Sequence, residues 1–295
     1  MITLLSLTAV HLALFFTPLS PGVSTPCSAS LGRPLQEPAA GTVKHNDKGN
    51  FDMVYIPACE FTMGSENNQW GWNWKPHQVT LSGYWIGKTP ITVGQYKAYL
   101  KARHLPFDWH ADVPIQGWRD DDPMVYVTWR DAQAYCRWAG GMLPTEAQWE
   151  HAARGPNDDS FPWGDTWEPK NVWISTVGDN RGFGAAPVNR TNHIYTNAFG
   201  CSDMLGNVRE WCFDYWADST AGDRQPATDP SGPKKAVYGG DPHCSRGFSW
   251  ADYTAEKAGT AAKNMTTFTA YHRKYDSESM VANYMGFRFA QAARP

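Results

Sequence analysis

Along the chain, apolar positions group into three patterns. From Ile2 to about Leu19 the sequence is almost continuously apolar and then gives way to the small-residue stretch "PGVSTPCSAS", a pattern that predicts a cleaved export signal over residues 1–29. Residues 30–50 are rich in Pro, Ser, Gly and Lys without apolar periodicity and read as a flexible linker, so that order is expected from Phe51, in a single domain over 51–295. "MVYIPACEFTMGS" then alternates in strand fashion and stops at Gly64 and Ser65, and "HQVTLSGYWIGKTPIT" reads as two more short strands around Ser82 and Gly83.

Helical spacing follows. Val93, Tyr96, Tyr99 and Leu100 share one face of a helix capped by Thr92. "TWRDAQAYCRWAGG" repeats the logic with Thr128 as cap and Gly140 as stop. In "TEAQWEHAARG", Thr145 and Gln148 form a capping box and Gly155 closes the helix. Beyond Gly155 no helical period is found, only short strands and long polar segments. Helices first and strands afterwards predict an α+β fold.

Composition refines this. Fifteen Trp, 26 Gly and 21 Pro in 295 residues predict a loop-rich molecule with little regular secondary structure, filled by indole rings. A net charge of −3 leaves no basic footprint, which sets nucleic acid aside as a partner. After the first segment no stretch reaches the roughly 18 apolar residues of a membrane span, so no stable membrane insertion is expected once the signal is removed. Six cysteines, Cys27, Cys59, Cys136, Cys201, Cys212 and Cys244, follow no metal-ligand spacing. In an oxidising compartment some of them could pair.

The segments "FTMGS" (61–65), "LPTEAQWEHAARG" (143–155), "FPWGD" (161–165), "APV" (186–188), "DMLGNVREW" (203–211), the paired Gly239 and Gly240, and "GFRFA" (286–290) occur in the order seen in the formylglycine-generating enzyme (sulfatase-modifying factor) family. The chain resembles that family from about Phe51 to Ala290. The resemblance implies a variant of the C-type lectin fold. It also implies one of several activities: copper-dependent oxidation of a sulfatase cysteine, iron-dependent sulfoxide synthesis, periplasmic maturation of a pyoverdine-type siderophore, or non-catalytic display of a binding surface. Iron-dependent members carry their histidines mainly on an extra N-terminal bundle for which this chain has no room.

In the copper enzymes two cysteines just after the paired glycines hold Cu(I), an ion suited to soft thiolates. Here Cys244 matches the first and Ser249 the second. A hydroxyl is no substitute for the second thiolate, so the copper mechanism is not expected. A further segment, "ADYTAEKAGTAAKNMTTF", between Ser249 and Arg273 is expected to reshape the pocket. What remains is a candidate catalytic set of His243, Cys244, Arg246, Ser249 and His272, with Trp250 as a substrate-binding face. Nearby cations would lower the thiol pKa and activate it, whereas the structural alternative is a leftover or disulfide-bonded cysteine. Cys244, His243 and His272 are all candidate proton acceptors. Trp70 and Trp72, in "NNQWGWNWKPH", offer a further aromatic surface for a flat ligand or else pack on their own loop. Glu146, Glu150 and His151 read as scaffold.

The resemblance also implies structural Ca²⁺. One site carries over to Asp203 and the carbonyls of Met204, Gly206 and Val208; the other to Asn171, Val172, Asn180 and Gly182, where Asn180 replaces a usual aspartate. Together these features lead to a periplasmic or secreted, cysteine-incomplete member acting as an oxidoreductase on a small-molecule or peptide-siderophore substrate. A non-catalytic binding module and a sulfatase activator are the alternatives. The last needs a second thiol, from Cys201 or Cys212, close to Cys244.

Overall fold

The computed structural model describes residues 37–65, 76–108, 117–174, 184–192, 194–217, 226–252 and 268–293. The expected signal, Trp70, Trp72, Asn180, Gly182 and most of the segment after Trp250 lie outside them. Residues from Glu37 onward form one compact unit. Its strands in chain order are β1 (Val43–Asn46), β2 (Phe51–Ile56), β3 (Cys59–Met63), β4 (His77–Leu81), β5 (Tyr84–Gly87), β6 (Arg209–Tyr215), β7 (Ala227–Thr228), β8 (Pro242–Arg246), β9 (Arg273–Ser277), β10 (Met285–Phe287) and β11 (Ala290–Ala292). The helices are α1 (Val93–Ala102), α2 (Trp129–Trp138) and α3 (Glu146–Arg154), all between β5 and β6.

Among the described residues this is an α+β fold of three sheets, ordered β1-β2-β5-β11, β10-β6-β8-β9 and β3-β4-β7. The first is antiparallel throughout; the other two each contain one parallel pair, β10 with β6 and β4 with β7. It holds more regular structure than the Gly- and Trp-rich composition predicts, because many strands are short and are defined by pairing with distant partners. Strand β1 shows this best. Three of its four residues are exposed, so it carries no apolar signal, yet it pairs antiparallel with β2 inside the stretch expected to be a linker. Pro57 breaks the predicted first strand into β2 and β3. Strands β4 and β5 flank Ser82 and Gly83 as expected, but they belong to different sheets.

All three predicted caps form. Thr92, Thr128 and Thr145 each accept from the third helical N–H, while Gln95, Asp131 and Gln148 reach back to the cap N–H. Helix α3 ends at Gly155, whose φ of +74° is a conformation that side chains disfavour. Helices α1 and α2 cover one core, in which Tyr96 stacks on Tyr135 at 5.7 Å and Phe287 closes edge-on. Helix α3 lies in a second core around Trp149, with residues of β3, β4, β6 and β8.

Three of the sequence motifs meet at one buried point. Arg288 of "GFRFA" pairs with Glu210 of "NVREW" at 2.6 Å, both side chains fully buried, and the indole of Trp149 donates to the same carboxylate at 2.7 Å. Arg288 also donates to the carbonyls of Gly87 and Ser202, so four of its five N–H hydrogens are used. These motif residues hold strands and helix together.

Candidate functional site

Side chains alternate across a strand, and the β6-β8-β9 region therefore presents two different faces. On the face toward α3 lie Cys244 and Arg246 of β8 and Arg273 of β9, with Arg246 and Arg273 directly paired in register. The α3 capping box places Glu146 at the first helical position, where its carboxylate meets all three. Arg273 donates to it at 2.6 and 2.7 Å, Arg246 at 2.9 and 3.0 Å, and the Cys244 thiol at 3.3 Å. One helical turn later Glu150 pairs with Arg246 at 2.8 Å and Arg154 at 3.0 Å.

Burial alone would raise the Glu146 pKa, but the Arg273 and Arg246 guanidiniums hold it below the ordinary value. The thiol behaves oppositely. Burial, joined by the Glu146 carboxylate, pushes Cys244 well up against the pull of Arg273, so the activated thiolate expected from the sequence is not what this environment favours. Asp214, whose carboxylate accepts from the Glu146 N–H at 2.7 Å, is pushed up to about 7 by burial and by Glu146.

His243 and Ser245 point to the opposite face. The His243 ring is stacked between Trp129, at 3.8 Å, and Tyr215, at 4.2 Å, and its Nδ1 lies 3.1 Å from the Phe213 and Asp214 carbonyls; burial pushes its pKa down. Ser245 donates to Asp276 at 2.8 Å. Arg209 bridges Asp276 to Asp252 at 2.7 Å, and Asp252 also binds Lys274 and, at 2.7 Å, the Ser249 hydroxyl. Ser249 thus shares its network with Ser245, and among the described residues no hydrogen bond joins it to Cys244. His272 packs against Phe248 at 4.5 Å, with its pKa pushed down to about 3 by burial and by Lys274. Trp250 is buried in a core with Val125 and Val208, so its ring offers no open face for a ligand.

The predicted set is therefore divided: Cys244 and Arg246 face α3, whereas His243 and Ser249 make their contacts with other groups. Strand alternation around Cys244 already contained that division. Three other groups went unrecognised: Glu146, read as scaffold, Arg273 and Asp214. Beside them is a cleft of about 630 Å³ lined by Trp216, Tyr238, Gly239, Gly240, Pro242 and Tyr275. Tyr275 is the register partner of Cys244. It lies 4.8 Å from Trp216, over whose ring the Arg273 guanidinium sits at 4.2 Å. The paired glycines and the aromatic run after Asp214 were the available signals.

For Cu(I), Ser249 at the expected second position is bound to Asp252, Cys212 stands near Cys244 but burial pushes its pKa well up, and a guanidinium nitrogen lies 3.4 Å from the Cys244 sulfur, where it opposes a metal cation. The residues do not fit a two-thiolate copper centre. All five described cysteines are free thiols. At the loop expected from the resemblance to hold the first ion, both Asp203 carboxylate oxygens are taken by Arg190. At the second, Asn171 and Val172 are described, and Asn180 and Gly182 fall outside.

Residues 39–293 match the sulfatase-modifying factor enzyme 1-like domain. The chain is 34% identical over 199 residues to a formylglycine-generating enzyme of Thermomonospora curvata, covering 61% of this chain and 62% of that enzyme. The match thus spans less than two thirds of the relative's length. It is 34% identical over 291 residues to the inactive C-alpha-formylglycine-generating enzyme 2 of Mus musculus, covering 82% and 86% of the two chains. Among solved structures, PvdO from Pseudomonas aeruginosa superposes with a TM-score of 0.70 at 25% identity, over 87% of this chain and 100% of that one.

Proposed function

Since the chain belongs to the formylglycine-generating (sulfatase-modifying factor) enzyme family, we propose that it is an exported, copper-independent member that binds a flat, oxidisable small molecule of the siderophore-chromophore kind and promotes its oxidation by dioxygen. The observation that carries this reading is the aromatic cleft of Trp216, Tyr238 and Tyr275, the last of which is the register partner of the buried Cys244 thiol held by Glu146 and Arg273. Indole and phenol faces stack on a planar ring, and Arg273, already over Trp216, supplies positive charge for an electron-rich catechol. The likeness to PvdO over the whole of that chain, and the siderophore-maturing activity that the sequence resemblance implies, favour this substrate class. Within the α+β architecture, we take the lectin-type variant and periplasmic or secreted localisation from the same resemblance.

The chemistry asks little of the protein. A dihydro-catechol ring gives up two electrons and two protons, and dioxygen takes them to become hydrogen peroxide. The protein orients the ring and accepts a proton. A thiol raised as Cys244 is stays protonated at neutral pH and cannot be the acceptor. Asp214, at about 7, exchanges its proton in that range and sits behind Cys244 against Glu146, so the rate is expected to rise as pH passes through about 7.

A second reading, a non-catalytic binding module, is favoured by the likeness to the inactive mouse enzyme over most of the chain. Oxygen uptake and product fluorescence with a dihydro-chromophore precursor, alongside saturable binding of the same compound, separate the two. Binding with turnover above the spontaneous rate supports the oxidase; binding without turnover supports the module.

A further inference from the structure

The loop 203–208 makes a sharp turn, with φ of +55° at Asp203, +83° at Gly206 and +61° at Asn207. A Cβ at Gly206 would lie 2.4 Å from Val172 Cγ2 and 2.8 Å from the Trp173 carbonyl oxygen, so the turn is locked against the segment before it. Such a turn, carrying a buried carboxylate, needs a cation. The chain supplies one. Arg190 grips Asp203 with both terminal nitrogens, at 2.5 and 2.8 Å, and the side chains are only 7% and 2% exposed. This is a two-pronged, charge-assisted pair, the strongest geometry available between the two groups. The guanidinium is fixed further by the Pro187 carbonyl at 3.0 Å and by the Trp173 ring at 5.5 Å. Asn207 completes the carboxylate with a bond at 2.9 Å and ties the loop to Ala186 by its remaining amide contacts.

A Ca²⁺ ion on Asp203 would have to displace this fork or sit beside a like charge in a site sealed from water, and both are costly. We propose that Arg190 is a built-in cation that takes the place of calcium at the 203–208 loop, ordering it without metal. An arginine cannot be removed by dilution or chelation, so this part of the fold is independent of the calcium level outside the cell.

The test counts calcium on the full chain. Wild type, Arg190→Lys and Arg190→Gln are stripped with a chelator and titrated with Ca²⁺, with stoichiometry read by native mass spectrometry and the unfolding midpoint by scanning fluorimetry. Comparing variants makes any ion bound elsewhere a constant background. The expected result is one more Ca²⁺ per chain in Arg190→Gln than in wild type, with Arg190→Lys like wild type. Calcium should also raise the Arg190→Gln midpoint more than the wild-type one. The proposal is overturned if Arg190→Gln binds no more Ca²⁺ than wild type, or stays unfolded at millimolar Ca²⁺.

Discussion

Asp214→Asn should shift stability relative to wild type in a direction set by pH, from a deficit near pH 4 to a gain by pH 8. Asp214 is buried beside Glu146 and has its pKa raised from the 3.8 of a free aspartate to about 7. Between those values the native state keeps a proton that the unfolded chain has released. The stability this contributes is fully present below about pH 4 and is lost as pH rises through 7. Across the roughly three pH units between those values, at 1.36 kcal/mol each, the loss reaches about 4 kcal/mol by pH 8. Asparagine keeps an oxygen for the Glu146 N–H, now bonded at 2.7 Å, and removes the charge. Its new N–H costs about 1–3 kcal/mol where it lacks an acceptor, but that offset does not vary with pH. The stability of the variant minus wild type should therefore rise by roughly 1.4 kcal/mol per pH unit between about 4 and 7. His151, at about 4, and His272, at about 3, act with the opposite sign, since burial keeps them neutral while the unfolded chain protonates below about 6.5. They are common to both proteins and cancel in the difference. Urea unfolding at half-unit steps from pH 4 to 8 measures it. A difference that is flat in pH would refute the assignment of Asp214 as a buried carboxyl titrating near neutrality.

Other consequences follow from single contacts. Glu210→Gln or Arg288→Met should each cost about 3–5 kcal/mol in denaturant unfolding, since either leaves an unmatched charge in a fully buried pair, and the double change should cost less than the sum. Trp216→Ala should weaken binding of a planar catechol by roughly 3- to 10-fold in a fluorescence titration, the loss of one aromatic stacking partner. Cys244 should resist iodoacetamide at pH 7.5 in the native protein and react on unfolding, as read by mass spectrometry, because its thiol is buried and its pKa raised.

Local rules carried the helices. Each capping Thr, its reciprocal partner three residues on and the closing Gly155 are neighbours in sequence, so their geometry is written there. Strands were legible where they carry their own apolar run, as β4 and β5 do, and illegible where pairing alone defines them, as in β1. Their assignment to separate sheets depends on partners as remote as β11, which no local pattern encodes. The site divides in the same way. The serine at the second motif position was readable as Ser249, and the Cys244 neighbourhood from the motif. The charge environment was not, because Glu146 and Arg273 are 127 residues apart in the chain and meet at 2.6 Å. A cysteine near two arginines suggests an activated thiolate; only burial and the carboxylate between them reverse that inference.

The most direct test of the account is oxygen consumption by the purified, copper-stripped protein with a dihydro-chromophore catechol, comparing wild type with Trp216→Ala and Asp214→Asn. Uptake above the spontaneous rate is expected without added copper, slowed in both variants, with the rise in rate near pH 7 absent in Asp214→Asn. Uptake that stays at the spontaneous rate, or that appears only when Cu(I) is added, would contradict it.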